Sequence, residues 1–183
     1  MSKRIGMVVG SLRRGSFSRQ VADNVRAMFP QGMDVRLVEI GDLPMYNQDL
    51  DDGEKAPAEW TRLREAVKAL DGVVFITPEY NRSVPPVLKN AIDIASRPYG
   101  KNAWDGKPGA VLSVSPGKIG AFGANHHLRQ SLTFLNVLTM QQPEAYLGGV
   151  ADALDAEGKL KPGGTKDFLQ GFVDAFVAWM GHF

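Results

Sequence analysis

The stretch Gly10-Ser11-Leu12-Arg13-Arg14-Gly15-Ser16-Phe17-Ser18 brings together three serine hydroxyls, two arginines and a glycine that permits a tight backbone. Where such a stretch leads from a strand into a helix, the hydroxyls, the free N–H groups of the first helical turn and its partial positive charge suit a terminal phosphate. It is not the dinucleotide fingerprint, since G-x-G-x-x-G is absent, nor a P-loop, since no Gly-Lys-Ser/Thr follows. An ordinary loop in which Ser18 caps the helix and the arginines are solvated accounts for the same residues. A second place is Thr77-Pro78-Glu79-Tyr80-Asn81-Arg82-Ser83-Val84-Pro85-Pro86. A rigid, proline-bounded turn can offer backbone groups to the edge of a planar heterocycle, with Tyr80 as an aromatic wall. Alternatively, the prolines only punctuate a loop and Tyr80 packs on the next helix. The third, Ser115-Pro116-Gly117-Lys118-Ile119-Gly120-Ala121-Phe122-Gly123, has three glycines that allow close approach to a ligand and that equally suit an irregular loop. Taken together the three describe a mononucleotide site, with phosphate on the first and a ring between the other two.

Side-chain catalysis has few candidates. No cysteine is present, which excludes disulfides, thiolate zinc sites, cysteine nucleophiles and iron–sulfur ligation. None of the three histidines is expected near the segments that follow the first and third apolar runs. His126-His127 has no acidic or cysteine partner at ligand spacing, so structural or interface roles are favoured over a metal. Trp104, Trp179 and the methionines read as core or interface. No catalytic side chain and no metal ligand is assigned.

These loops need strands and helices to position them. Ile5 to Val9 is a short apolar run ending at Gly10, and Val21, Val25, Met28 and Phe29 share one face of a helix from about Ser18 to Phe29. Asp34 to Ile40 reads as a partly exposed edge strand, followed by a loop from Gly41 to Pro57. Trp60, Leu63, Val67 and Leu70 recur at helical spacing before Asp71-Gly72, and Val73 to Thr77 is a strand covered on both faces. Pro85 and Pro86 fit the first turn of a helix reaching about Ser96. A strand over Ala110 to Val114, a helix marked by Leu128, Leu132, Leu135 and Leu138, and a weak strand near Thr139 to Pro143 follow. The last helix carries Phe168, Phe172, Phe176 and Met180. Five strands alternating with five helices imply an α/β fold, a three-layer sandwich with a five-stranded parallel sheet and helices on both faces; pattern alone does not give the strand order, for which 2-1-3-4-5 is the common solution at this size. In such a sheet ligands bind beyond the carboxyl ends of the strands, where the three loops fall.

At 183 residues and 44% hydrophobic side chains, residues 1–183 are expected to form a single domain. A net charge of +1 from 21 basic and 20 acidic residues argues against a nucleic-acid partner or a membrane-surface partner. The N-terminal apolar run is too short for a signal peptide core or a membrane span, so a soluble cytoplasmic protein is expected.

The motifs resemble those of the NADPH-dependent FMN reductases, in the branch of bacterial quinone and chromate reductases. GSLRRGSFS at Gly10 to Ser18, PEYNRSVPPVLKNAID at Pro78 to Asp93 and the serine and glycines of SPGKIGAFG at Ser115 to Gly123 carry the resemblance. It extends to LRQSL at Leu128 to Leu132 and to PEAYLGG from Pro143. It implies a flavodoxin-like fold in which Ser11, Leu12, Arg13, Gly15, Ser16, Phe17 and Ser18 hold the FMN phosphate and ribityl chain. Pro78, Glu79, Tyr80 and Asn81 would hold the isoalloxazine, with Ser115 and Gly117 on its other side. The family has Ser-Phe-Asn or Ser-Tyr-Asn where this chain has Ser16-Phe17-Ser18, and Pro85-Pro86 and Lys118 are less typical and bear on the substrate mouth.

The implied activity is an NAD(P)H oxidoreductase, with NADPH or NADH as donor. Hydride passes by a ping-pong cycle through bound FMN to quinones or small oxidised acceptors such as chromate, and flavin N5, not a side chain, carries the chemistry. Tyr80, Arg82 and Arg97 are candidates to line the mouth, where a cation attracts anionic acceptors or the donor's phosphates; solvated surface arginines are the competing reading. The apolar stripe of Val87 to Ala95 is wider than contact with one sheet requires, which points to a partner helix and a homodimer. The resemblance extends this to dimers and homotetramers. A flavodoxin-type electron carrier without its own NAD(P)H activity is the alternative, disfavoured by a pI near 8.0. A receiver domain lacks its acidic residues after the first strand, and a Rossmann dehydrogenase lacks its glycines.

Overall fold

The computed structural model describes residues 2–51 and 56–183. Four of the residues expected in the loop from Gly41 to Pro57 therefore lie outside the described residues. In chain order the elements are β1 Arg4–Val9, α1 Phe17–Arg26, β2 Asp34–Leu37, α2 Gln48–Asp51, α3 Ala58–Lys68, β3 Gly72–Thr77, α4 Pro86–Ala95, β4 Pro108–Val114, α5 Phe122–Phe134, β5 Leu138–Thr139, β6 Ala145–Leu147, α6 Val150–Ala153 and α7 Gly164–Met180. The sheet runs β2-β1-β3-β4-β5, with β6 also on β4, and every pairing is parallel. The flavodoxin-like order expected from the sequence is the order found.

Side-chain alternation explains why the central strands read as unbroken apolar runs. On β3, Val74 and Ile76 join a core with Ile5, Met7, Val21, Val25, Phe172 and Phe176, beneath α1 and α7. Val73 and Phe75 face the other way, into a core with Trp60, Leu63, Leu88, Ile92, Trp104 and Leu128, beneath α3, α4 and α5. Each such fully covered side chain contributes about 1.5–3 kcal/mol, so both layers are needed to outweigh the ordering of the chain. Pro85 is the N-cap and Pro86 the first residue of α4, where a missing N–H costs nothing.

Four expectations are corrected. Helix α1 stops at Arg26, short of Phe29; Met28 and Phe29 still pack on the core from the following turn, so apolar spacing overstated the helix. Leu138 belongs to β5, not α5, because the chain turns after Phe134 through Asn136 at φ 57. The weak fifth strand is two pieces: Leu138–Thr139 pairs with Pro108 and Gly109, and Ala145–Leu147 with Leu112 to Val114. Between them the polar Gln141-Gln142-Pro143-Glu144 leaves the sheet, and Pro143 has no N–H to donate to a ladder. Finally, the wide stripe of α4 is buried within one chain. Leu88, Ala91, Ile92, Ile94 and Ala95 are fully covered, and Trp104 closes over the helix with its indole N–H on the Ile92 carbonyl at 3.0 Å. The stripe therefore calls for no partner helix.

Candidate functional site

Loops 10–16, 78–85 and 115–121 leave the carboxyl ends of β1, β3 and β4, which are neighbours in the sheet. Gly10 N–H donates to the Ile76 carbonyl at 2.8 Å, and a Cβ there would lie 3.3 Å from the Pro78 ring and 3.1 Å from Leu88. Glycine thus lets the first two loops close on each other.

In the first loop Ser16, not Ser18, caps α1: its hydroxyl accepts from the Arg19 amide at 3.3 Å. Ser18 sits in the first turn, where the amides have no preceding carbonyl to bond. Both serines are almost wholly covered, at 3% exposure, and among the described residues the Ser18 hydroxyl has no protein partner. No acidic side chain stands in that turn, and the Arg13 guanidinium lies 5.9 Å over the Phe17 ring. Ser11 is half-buried, while Leu12, Arg13, Arg14 and Gly15 are exposed.

The second loop is a tight turn. Tyr80 and Ser83 exchange backbone hydrogen bonds of 3.0 and 2.9 Å, and between them Asn81 and Arg82 have φ 49 and 66. Two left-handed residues in succession give a type I′ turn, whose two central N–H groups face outward. Among the described residues those of Asn81 and Arg82 donate to no protein group. Pro78 and Glu79 are half-buried, whereas Tyr80 is 53% exposed and Asn81 is open.

In the third loop the Gly117 amide donates to the Ser115 hydroxyl at 3.0 Å. Residues 147–150 brace this loop: Ser115 N–H bonds Leu147 O at 2.9 Å, Val150 N–H bonds Ser115 O at 3.2 Å, and Gly149 N–H bonds Gly117 O at 3.3 Å. Beneath it runs a buried polar chain. Ser113 Oγ donates to Gly120 O at 2.6 Å, Asn125 Nδ2 to Ser113 Oγ at 3.2 Å, and Arg129 Nε to Asn125 Oδ1 at 2.9 Å. Sequence reasoning missed this bracing; the signals available were Gly148-Gly149 and the arginine of LRQSL.

Both paired histidines also turn out to serve the site's surroundings. His127 Nδ1 meets Ser83 Oγ at 3.0 Å, which corrects the expectation that no histidine lies near the loop after the third strand. His126 Nε2 meets the Tyr146 hydroxyl at 2.9 Å, with the Phe122 ring 4.2 Å away. Burial first, then the Glu144 hydrogen bond and charge, push the Tyr146 phenol up to about 12, against an opposing pull from Arg129.

The loops gather every sequence-nominated residue except Arg97. Helix α4, of 10 residues and so about 15 Å long, separates it from the second loop. Arg97 instead lines a polar cavity of about 260 Å³ with Tyr46, Gln48, Asp51 and Tyr99. Another cavity, about 270 Å³, lies against the edge strand between Leu37, Leu63 and Leu70. It shares no residue with the three loops, and its charged rim pairs within itself and with its surroundings, Arg36 with Asp34 and Arg62 with Asp42.

The family model of the NADPH-dependent FMN reductases matches residues 3–152. The chain belongs to that family. This FMN reductase is 54% identical, over 176 residues, to a quinone reductase of Pseudomonas putida, covering 96% of this chain and 94% of that one. It is 42% identical to a 2-hydroxy-1,4-benzoquinone reductase of a Burkholderia species, covering 98% and 97%. Among solved structures it matches FerB, a flavoenzyme NAD(P)H:(acceptor) oxidoreductase of Paracoccus denitrificans, at TM-score 0.91, 44% identity and 98% coverage of both chains.

FMN is the reductase's cofactor, and the loops meet its chemistry. A phosphate dianion needs donors without competing carboxylates, which the start of α1 supplies. A flavin edge needs acceptors matched by free N–H groups, which Asn81 and Arg82 retain. Among the described residues no group of three or more histidines and carboxylates could hold a metal, and no helix is long and apolar enough to cross a membrane.

Proposed function

We infer that this chain is an FMN-dependent NAD(P)H oxidoreductase that reduces quinones, with residues 1–183 as its one domain. One observation carries the reading: three neighbouring strand-end loops converge with unspent donors, on a chain more than half identical to a quinone reductase. The first loop, Ser11, Leu12, Arg13, Gly15, Ser16, Phe17 and Ser18, would hold the phosphate and ribityl chain. Pro78 to Asn81 would hold one side of the ring, and Ser115 and Gly117 the other. When bound, the flavin supplies the redox chemistry, accepting hydride from the nicotinamide and delivering it to the acceptor. The protein's share is to orient the ring and leave one face open, so that donor and acceptor use it in turn.

Exposed Tyr80 and Arg82 are the residues of the mouth in this reading. Arg82 makes an ion pair with Glu79 at 3.2 Å yet stays largely solvated, so it can still attract a quinone oxygen, a nucleotide phosphate or an oxyanion such as chromate. Arg97 serves only if a second chain brings it there. Tyr99 and Phe134, 91% and 87% exposed, flank a groove of about 720 Å³ between α4 and α5. A two-fold pairing across that groove, with α4 antiparallel to its copy, would bring the end of one α4 beside the start of the other and Arg97 to the other mouth. Sedimentation at micromolar concentration then gives a dimer or a tetramer. The absence of cysteine and the NAD(P)H requirement support a cytoplasmic location.

The test is anaerobic absorbance. Purified protein with FMN should bleach on addition of NADPH or NADH and regain its colour with a benzoquinone. Bleaching by a separate reductase but not by either nucleotide would support the carrier alternative, and failure to take up FMN would overturn the reading.

A further inference from the structure

Helix α5 begins without a cap of its own. Its N-cap residue is Ala121, in the left-handed region at φ 60, with no side-chain oxygen to offer, and its first turn holds no acidic residue. A helix start leaves its first N–H groups without intrahelical partners, and leaving one buried and unmet costs its full desolvation. Here the missing acceptor comes from 45 residues away: Glu79 Oε2 accepts from the Ala124 amide at 3.1 Å. The helix dipole favours a carboxylate at this end, and the Glu79 side chain is only 15% exposed, so the bond is shielded from water.

The same carboxylate borders the Tyr80–Ser83 turn. Neither central residue of that turn is glycine, and a left-handed residue with a side chain is strained, so the turn keeps its shape only if its surroundings hold it. Three holds are present, and all rest on α5. Glu79 bonds Ala124 just ahead of the turn, Ser83 Oγ meets His127 just behind it, and the backbone of Gly123 abuts the Arg82 carbonyl. Of these, the Glu79 bond is the one made to a charged group in a covered position. The ion pair with Arg82 is exposed on the arginine side and adds little.

We propose that Glu79 is a positioning residue for the flavin loop: by capping α5 through Ala124 it holds the Tyr80–Ser83 turn in the shape that presents the Asn81 and Arg82 amides to the ring. Its carboxylate works through the backbone and need not touch the ligand. The link to the ring rests on the assignment of FMN to this loop; the link to the turn does not.

The test uses the FMN-free chain and three substitutions. Glu79→Gln keeps an acceptor at the right reach without the charge, Glu79→Asp keeps the charge but falls one methylene short, and Glu79→Ala keeps neither. Amide hydrogen exchange at Tyr80, Ser83 and Ala124, the hydrogen-bonded amides of the turn and the cap, is followed alongside exchange in β3 and β4, and FMN affinity is read by fluorescence quenching. In Glu79→Ala and Glu79→Asp, exchange at Tyr80, Ser83 and Ala124 should accelerate at least tenfold with β3 and β4 unchanged, and the Kd for FMN should rise about tenfold. Glu79→Gln should restore both to within threefold. If Glu79→Ala does not fold, the Asp and Gln variants still make the comparison. Native exchange at Tyr80 and Ser83 in Glu79→Asp overturns the proposal, as does a Gln variant that binds FMN as poorly as Asp with its turn intact. Accelerated turn exchange in a chain whose native form takes no FMN would support the clamp and instead sink the assignment of FMN to this loop.

Discussion

A Cβ on residue 123 would stand 2.8 Å from the carbonyl oxygen of Arg82 and 3.0 Å from the Glu79 carboxylate. The first turn of α5 and the loop after β3 are therefore in backbone contact, and only glycine fits between them. Alanine elsewhere in a helix gains about 1 kcal/mol over glycine, but here overpacking of about 1–3 kcal/mol against backbone outweighs it. Gly123→Ala should lower stability by about 1–2 kcal/mol and weaken FMN binding. Gly171→Ala in α7, where a Cβ meets nothing within 4 Å, should instead gain about 0.5–1 kcal/mol and leave FMN affinity unchanged. Urea denaturation and FMN titration of the two variants check both directions.

Ser16 holds the start of α1 and lies in the loop proposed to hold the phosphate. Ser16→Ala should cost about 1 kcal/mol from the lost cap. Riboflavin, which lacks the phosphate, provides the comparison. If the first loop grips phosphate, the variant loses affinity for FMN and keeps that for riboflavin, and equal losses for both ligands would contradict that assignment.

Tyr146 gives a pH prediction. Its folded value, about 12, lies above the ordinary phenol value of 10.0, so its stabilising contribution is fully present below pH 10 and is lost as pH rises from 10 toward 12. Difference absorbance near 295 nm should show Tyr146 ionising late beside Tyr46, whose phenol burial also pushes up, and Tyr146→Phe should reduce the late amplitude and leave the contribution of Tyr46. Glu144→Gln should move the Tyr146 ionisation downward, because the acceptor charge that holds the proton is gone.

Asp51 and Arg64 form a covered pair at 2.7 Å, with side chains 3% and 10% exposed, and Arg64 Nε also donates to Ile94 O at 3.0 Å. Asp51→Ala leaves a guanidinium largely out of water with one acceptor, and should cost about 3 kcal/mol. Replacing both residues with methionine should cost less than the single change, since no charge is then left stranded. A denaturant series on the two variants decides it.

The central strands and the three strand-end loops were legible because they rest on local signals, apolar runs of strand length each ending at glycine, proline or serine, whereas the strand order came from the common solution for a sheet of this size. Ser16 and Ser18 could not be ranked as caps, since the choice turns on a single residue of helix phase. Contacts across the chain were out of reach. Nothing local ties Glu79 to Ala124, His127 to Ser83, or Gly149 to Gly117. The stripe of α4 misled because its cover comes from outside the helix: Trp104, 12 residues past Ile92, folds back over it and takes the place of a second molecule. Arg97 is a mouth candidate by its charge alone, whereas a straight helix carries it away from the second loop.

The broken fifth strand has a consequence for the sheet's open margin. An edge long enough to register with a foreign strand is a template for aggregation, but here that margin offers runs of only two and three residues, split by a proline-bearing detour. The opposite margin, four residues long, carries Asp34 and Arg36. Neither border gives a stray chain enough uninterrupted backbone to zip onto, so the protein can be concentrated without its sheets growing into one another.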